Sequence, residues 1–249
     1  LKRLLAFGVL IACVIIADAA QFGLYLTEAT ASKTSRLKQL IKQSKQAGIN
    51  TLIIDYAYNN SRFVKNLKLV KQGGLHYVAR IVVFNHGGTY AQVHNPSYWQ
   101  KPYRYVKKAM QAGADAIQLD YIRYNTRARR SKQNAKDIHK VIIWYKQHIN
   151  VPLEVDVFGM ATHKPAQTIG QNLNIFAKTV DFICPMVYPS HYFPYDYHGR
   201  HPYRTIMKSM RLLDKQFGDQ HGHVKIIPWL EAYNFRRRMS RSARMAYIW

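Results

Sequence analysis

The sequence predicts a single α/β domain folded as a (β/α)8 barrel, and three observations lead to that prediction. Short apolar runs of strand character alternate with amphipathic helical runs along almost the whole chain, about seven times, with the start of an eighth strand at the end. The clearest of these runs are apolar on both faces, as strands buried in a parallel sheet must be. The 249 residues suffice for one large core, and neither repeats nor low-complexity linkers mark a second domain. A doubly wound open sheet is the alternative topology. Against it, no G-x-G-x-x-G follows the first strand and no phosphate-binding loop occurs anywhere.

Phe22–Leu26 reads as the first strand, followed by a Thr/Ser-rich loop that can cap the next helix. Arg36–Ala47 has helical spacing and stops at Gly48. Thr51–Asp55 is a strand that terminates on an acid, and Val64–Lys71 is a helix ending before Gly73-Gly74. Tyr77–Phe84 is apolar except for Arg80. After a loop over residues 85–96, Tyr98–Ala112 is helical and leads into Ala114–Tyr124, whose buried strand ends on Asp120. Period two sets Ala116, Gln118 and Asp120 on one face and Ile117 and Leu119 on the other. Ser131–His148 is the next helix, Pro152–Phe158 a strand with Glu154, Asp156 and Phe158 on one side, and Pro165–Lys178 a helix. Thr179–Val187 is a strand with an aromatic exit loop, Pro202–Phe217 a helix, and Val224–Leu230 a strand leading to Glu231. A short helix and a last strand at Ala246–Trp249 would complete the barrel, so closure depends on those final residues.

Composition is that of a globular protein, with 48% hydrophobic and 20% charged residues, but 37 Lys+Arg against 13 Asp+Glu give a formal charge of +24. The basic residues are spread over helices and loops, which implies a solvated basic surface. It permits peripheral association with an anionic envelope, and without a nucleic-acid motif it argues for no specific nucleic-acid partner. Residues 1–19 have the form of an export leader. Lys2-Arg3 precedes the apolar run Leu4–Ala17, and Ala17-Asp18-Ala19 supplies an A-x-A cleavage pattern. The run is too short for a membrane span. Leu10-Ile11-Ala12-Cys13 resembles a lipobox, but the apolar run continues through Ile16, which favours ordinary cleavage over lipid anchoring. Removal of the leader leaves Cys184 as a lone cysteine without zinc-site spacing around it, read as an inert core thiol.

With acidic residues scarce, their placement is informative. Asp55, Asp120, Asp156 and Glu231 fall at or near the carboxyl ends of strands, and Glu28 lies just after the first. In a barrel those ends form one rim, where the site lies. Each alone reads as a helix cap or an arginine partner, and for Asp55 that reading is preferred. Taken together, Asp120 and Asp156 point to chemistry. A pair of carboxylates beside aromatic rings, with no metal or cofactor motif, is what glycosidic bond cleavage requires: one protonates the leaving oxygen while the other attacks or activates water. Tyr121, Tyr124, Tyr188, Tyr192, Phe193 and Trp229 can stack on sugar rings. Arg80, on a buried strand, requires a carboxylate partner, and Glu154 is the expected one. The histidines, including His86, His94, His191, His198 and His201, lack metal-binding spacing and read as surface or substrate-contact residues.

Several blocks of the chain resemble a bacterial family of glycoside hydrolase domains, a (β/α)8 group of largely unknown activity. They are Gly23–Thr27, Ile53-Ile54-Asp55, "YVARIVVF" at 77–84, "IQLDYIRY" at 117–124, "VDVFG" at 155–159, "PMVYPSHY" at 185–192, His201-Pro202-Tyr203 and Pro228-Trp229-Leu230. The resemblance implies hydrolysis of a sugar polymer and places Asp120 and Asp156 in the pocket with Arg80, Arg123 and Tyr188. Two departures stand out: Glu231 occupies a position where the family usually has Gln, and the loop between Phe84 and Tyr98 lacks a longer family segment. The resulting expectation is an exported hydrolase of an envelope or extracellular polysaccharide that needs no cofactor. Asp120 would be nucleophile or base, Asp156 acid, and Glu231 a substitute for either. Arg80, Tyr121, Arg123, Tyr188, His191, Trp229 and Asp55 would contact substrate. A non-catalytic carbohydrate-binding barrel is the rival, and a basic protein for polyanions a third reading.

Overall fold

The structure is a computed structural model that describes residues 21–57, 61–218 and 222–232. The leader, the lipobox and the final helix and strand expected after residue 239 lie outside the described residues. Within them the strands are β1 (Gly23–Leu26), β2 (Thr51–Asp55), β3 (His76–Val82), β4 (Ala116–Asp120), β5 (Leu153–Phe158), β6 (Phe182–Val187), β7 (Lys225–Ile226) and β8 (Trp229–Leu230). All pair in parallel and in chain order, β1 through β7, with β8 also on β6. Between them run α1 (Glu28–Ala31), α2 (Thr34–Gln46), α3 (Ser61–Gln72), α4 (Tyr90–Val93), α5 (Pro96–Trp99), α6 (Tyr103–Gln111), α7 (Gln133–His148), α8 (Leu173–Phe176), α9 (Tyr195–Arg200) and α10 (Pro202–Phe217). Parallel strands in sequential order with crossover helices make this the barrel-type α/β architecture that the alternation predicts.

The sheet has two chemically different faces. Its outer face carries Leu52, Ile54, Tyr77, Ala79, Ile81, Ile117, Leu119, Val155 and Val157, buried in the main core beneath the helices. The inner face carries a small apolar floor of Ile53, Val78 and Ala116, with Trp229 packed on it. Above that floor the inner positions turn polar. Gln118 Nε2 donates to Glu154 Oε2 at 2.9 Å, and Cys184 Sγ lies 3.8 Å from the same oxygen. Cys184 is indeed a buried free thiol, and burial raises its pKa.

Three expected elements differ from those observed. The predicted helix 165–178 shrinks to the single turn α8. Ala166 and Gln171 instead exchange backbone hydrogen bonds of 2.8 and 3.2 Å around Gly170, which sits at φ +72°. Gln171 Oε1 then accepts the Phe158 N–H at 2.8 Å, so this turn secures the end of β5. The helix expected from Tyr98 starts at Tyr103, because Pro102 sets a new start after the capped turns α4 and α5. The strand expected over 224–230 is split. Both halves keep one register on β6, which brings Pro228 opposite Pro185, and neither proline has an N–H to give the ladder.

Two stability predictions follow from this packing. A Cβ on Gly170 would sit 2.7 Å from the Asn134 carbonyl oxygen, in a backbone region that side chains rarely adopt. Gly170→Ala is therefore expected to cost about 2 kcal/mol, read in a thermal melt as a fall of roughly 4–8 °C. The Glu154 carboxyl is raised to about 7 by burial, against weaker lowering by its hydrogen bonds. The folded protein thus holds a proton that the unfolded chain has already released, and stability falls as pH rises from the ordinary carboxylate range through about 7. Glu154→Gln removes that dependence. It is expected to melt above the wild type at about pH 8, by up to roughly 3 kcal/mol, with the difference closing at about pH 4.

Candidate active site

Four strands in succession deliver one charged side chain each to the inner mouth of the sheet. Asp55 ends β2, Arg80 lies on β3 as its register partner, Asp120 ends β4, and Asp156 lies near the end of β5. The Arg80 guanidinium links them: Nη1 pairs with Asp55, Nη2 with Asp120, and Nε faces Asp156 Oδ2 at 3.7 Å. The expected partner Glu154 is not among these contacts. It stands at the same height as Arg80 but two strands away, about 10 Å, and Gln118 between them takes it. Burial opposes the Arg80 charge, but Asp120, Asp55 and Asp156 together more than offset that, and its pKa is raised.

Around this cluster the remaining polar contacts are short. Tyr25 of β1 donates its hydroxyl to Asp55, its ring lies under the Arg80 guanidinium at 5.6 Å, and it meets Trp229 edge-on at 6.3 Å. Burial, and then the hydrogen bond to Asp55, raises the Tyr25 phenol. Trp229 Nε1 donates to Asp156 Oδ1 at 2.7 Å. Tyr121 has φ +52°, and that turn directs its N–H at Asp120 Oδ1. Side-chain exposure decreases from 24% at Asp55 to 9% at Asp120 and 2% at Asp156. Asp156 is the least compensated of the three, since only Nε approaches it. Burial first, and then the Asp120 charge, push its pKa well above the ordinary carboxylate range. One carboxyl group with a raised pKa thus sits beside an ion-paired carboxylate on the neighbouring strand.

The structure therefore brings together Asp55, Arg80, Asp120, Asp156 and Trp229 of the residues singled out from sequence. Arg123 is turned inward instead. It is buried between the Tyr121 and Phe158 rings at 5.1 and 4.7 Å and donates to the Tyr124 carbonyl, with its pKa lowered by burial. Glu231 is fully buried, and its two oxygens accept the Ser190 hydroxyl at 2.6 Å and the Ser190 N–H at 3.0 Å, anchoring the loop after β6. Tyr188 and His191 lie in that loop, edge-to-face at 5.2 Å, with His191 exposed. Sequence reasoning did not assign Tyr25 a role, although its place on the same face as Asp55 is given by period two on β1 and β2. Among the described residues no group of His, Cys, Asp or Glu has the arrangement of a metal site.

A cavity of about 620 Å³ opens beside the cluster, lined by Thr27, Glu28, Asp55, Tyr56, Arg80 and Tyr105 among others. It reaches the guanidinium from the Asp55 side, so Asp120 and Asp156 lie on the other nitrogens of Arg80.

The fold is similar to those of several solved structures. Against the spore cortex-lytic enzyme SleL of Bacillus cereus the TM-score is 0.59 at 13% identity, covering 84% of this chain and 50% of that one. Against the chitinase of Chromobacterium violaceum it is 0.56 at 12%, covering 84% and 68%. Against the endo-1,4-β-mannanase of Rhizomucor miehei it is 0.56 at 10%, covering 84% and 85%. The chain spans about half the length of SleL. At these identities the likeness is one of fold. No curated protein sequence matches the chain. A family model described as "Putative glycosyl hydrolase domain" matches residues 85–247, the part that carries Asp120, Asp156, the Tyr188 loop and Trp229, and the chain belongs to that family.

Proposed function

We propose that the protein hydrolyses glycosidic bonds in an envelope or extracellular polysaccharide, with Asp156 as the general acid and Asp120 as the nucleophile. The observation that carries this reading is the split between two neighbouring carboxyl groups around Arg80, one ion-paired and one buried with a raised pKa. Asp156 gives its proton to the glycosidic oxygen as Asp120 attacks the anomeric carbon, and the bond to the leaving sugar breaks. Water then attacks the glycosyl ester, its proton passes to Asp156, and Asp120 is released as the carboxylate. Arg80 balances the charge on Asp120 before attack and again when it leaves as the carboxylate. Asp120 and Asp156 follow the register pair Leu119 and Val155 on β4 and β5. Adjacent strands run about 4.8 Å apart, which supports a carboxyl spacing nearer the roughly 5 Å of retaining enzymes than the wider gap of inverting ones.

Family membership and the barrel fold support the hydrolase class. Export belongs to the same proposal and is supported by Lys2-Arg3, the apolar run and Ala17-Asp18-Ala19. Among the described residues no helix is long and apolar enough to cross a membrane. One observation favours carbohydrate binding without turnover: Arg80 engages all three aspartates, and the cavity opens on Asp55 and not on the Asp120–Asp156 pair.

Reducing-end release from a panel of bacterial polysaccharides decides between them. Asp120→Asn is expected to lose activity by roughly a hundredfold or more. Asp156→Asn should lose as much on natural linkages but retain activity on a glycoside whose leaving group needs no protonation. Sugar binding with no release by the wild type would favour the binding reading. Proton NMR of the first-formed product is expected to show the anomeric configuration of the substrate; the inverted anomer would rule out Asp120 as nucleophile.

A further inference from the structure

Two residues at the rim hold backbone conformations that their types avoid. Among the described residues, the non-glycine positions with positive φ are His86, at +60°, and Tyr121, at +52°. They lie in the loops that follow the neighbouring strands β3 and β4. His86 is the third residue of a turn that the Gly87 N–H closes on the Phe84 carbonyl at 2.9 Å. A left-handed residue at such a place is ordinarily glycine or asparagine. Tyr121 turns its N–H onto Asp120 Oδ1, a backbone contact that glycine or asparagine would make equally well. The turns alone therefore explain neither side chain, and residues strained in this way cluster at active sites and ligand clamps.

The two side chains meet, with ring centroids 6.1 Å apart and planes at 85°. The Arg123 guanidinium lies over the Tyr121 ring at 5.1 Å and over the Phe158 ring at 4.7 Å. Four planar groups thus form a row across the ends of β3, β4 and β5. Tyr121 directly follows Asp120, and Phe158 stands two residues beyond Asp156 on the same face of β5, so the row passes beside both acids. Its inner part is fixed, because Arg123 is buried and donates to the Tyr124 carbonyl. Its outer end, His86, is exposed. A histidine that served only the fold would be buried or hydrogen-bonded. Among the described residues the His86 ring touches the Tyr121 ring and has neither property.

We propose that His86 and Tyr121 form a ledge that holds one sugar ring of the substrate beside Asp120, and that the strained backbone at residue 86 is retained for that contact. The inference rests on the hydrolase reading for the bond that is cut and adds what is held next to it. A pyranose with equatorial substituents presents an apolar C–H face that stacks on an aromatic ring. Its hydroxyl groups stay at the edge, where an imidazole nitrogen hydrogen-bonds to them. A row across three strand ends suits an extended chain better than a coiled one. The substrate class is therefore a β-1,4-linked glycan of equatorial pyranose units, and His86 is a specificity residue outside the bond-breaking pair.

The test is isothermal titration calorimetry of the full chain with cellopentaose, the N-acetylglucosamine pentamer and, as the α-linked control, maltopentaose. At least one β-linked pentamer is expected to bind roughly tenfold tighter than maltopentaose or more. His86→Gly suits the left-handed backbone, so it should melt at or above the wild-type temperature while weakening that binding roughly tenfold. Tyr121→Asn keeps the N–H on Asp120 and should weaken binding as much. Failure of both β-linked pentamers to bind, equal binding of maltopentaose, wild-type affinity in His86→Gly, or a clear fall in its melting temperature overturns the proposal. Binding that His86→Gly weakens, without reducing-end release by the wild type, would leave the ledge standing and remove the hydrolase reading. Release that Asp120→Asn abolishes and His86→Gly leaves at the wild-type kcat/KM would do the reverse.

Discussion

A guanidinium enclosed by the inner face of a sheet is tolerable only where carboxylates surround it, and Arg80 imposes that condition on the mouth of this domain. Its two terminal nitrogens take Asp55 and Asp120, while Nε comes only within 3.7 Å of Asp156. One cation among three acids cannot compensate all of them equally, and the shortfall goes to the most buried. The Asp156 pKa is raised for that reason, by burial first and then by the Asp120 charge. The ion pairs that hold β2, β3 and β4 together at their carboxyl ends therefore also separate two ion-paired acids from one whose pKa burial raises. Breaking such a buried pair by removing one partner costs about 3–5 kcal/mol, so the chemistry and the stability of this end of the sheet cannot be altered separately.

The split strand contributes the other half of that environment. Facing prolines interrupt the ladder between β6 and the β7–β8 segment, yet the register resumes unchanged, and Trp229 returns to the inner face. There its ring closes the apolar floor over Ile53, Val78 and Ala116 while its N–H satisfies Asp156 Oδ1. The hydrogen bond favours the charged form of Asp156 but is outweighed by burial, to which the same indole contributes. On the other side of the mouth, Arg123 and the left-handed turn at Tyr121 aim a backbone N–H at Asp120. Both acids are thus fixed by groups that are themselves packed.

Much of this was legible in the sequence because strand ends and period two are local properties. Ile117 and Leu119 had to face the helices once Gln118 and Asp120 faced inward, and acids at four strand ends had to share a rim. The partner of Arg80 was not legible, because it depends on register between strands. Glu154 and Arg80 share a face and a height, but Gln118 lies between them, whereas Asp55 is the direct neighbour. The turn around Gly170 was hidden in another way. Thr168, Ile169 and Gly170 are weak helix formers, but that the segment serves to secure β5 through Gln171 is a tertiary fact. The fate of Glu231 likewise depended on Ser190, forty-one residues away.

Among the described residues, the aspartates that flank the strands are put to two different uses, and the end of the strand decides which. Asp115 and Asp181 stand just before β4 and β6. Each accepts a backbone N–H from the start of an adjacent strand, that of Tyr77 or Leu153, and each pairs with a helix lysine, Lys71 or Lys146. These acids complete the ladder at the end of the sheet away from the site, with solvent-exposed cations as partners. At the opposite end the acids turn inward around the Arg80 guanidinium, with the buried Arg123 close to Asp120, and burial raises the pKa of Asp156. Surplus lysine on the surface can neutralise the first group and cannot reach the second. The charge balance beside Asp55 is therefore set by these inward groups, Arg80 and Arg123 among them, and not by the +24 of the whole chain.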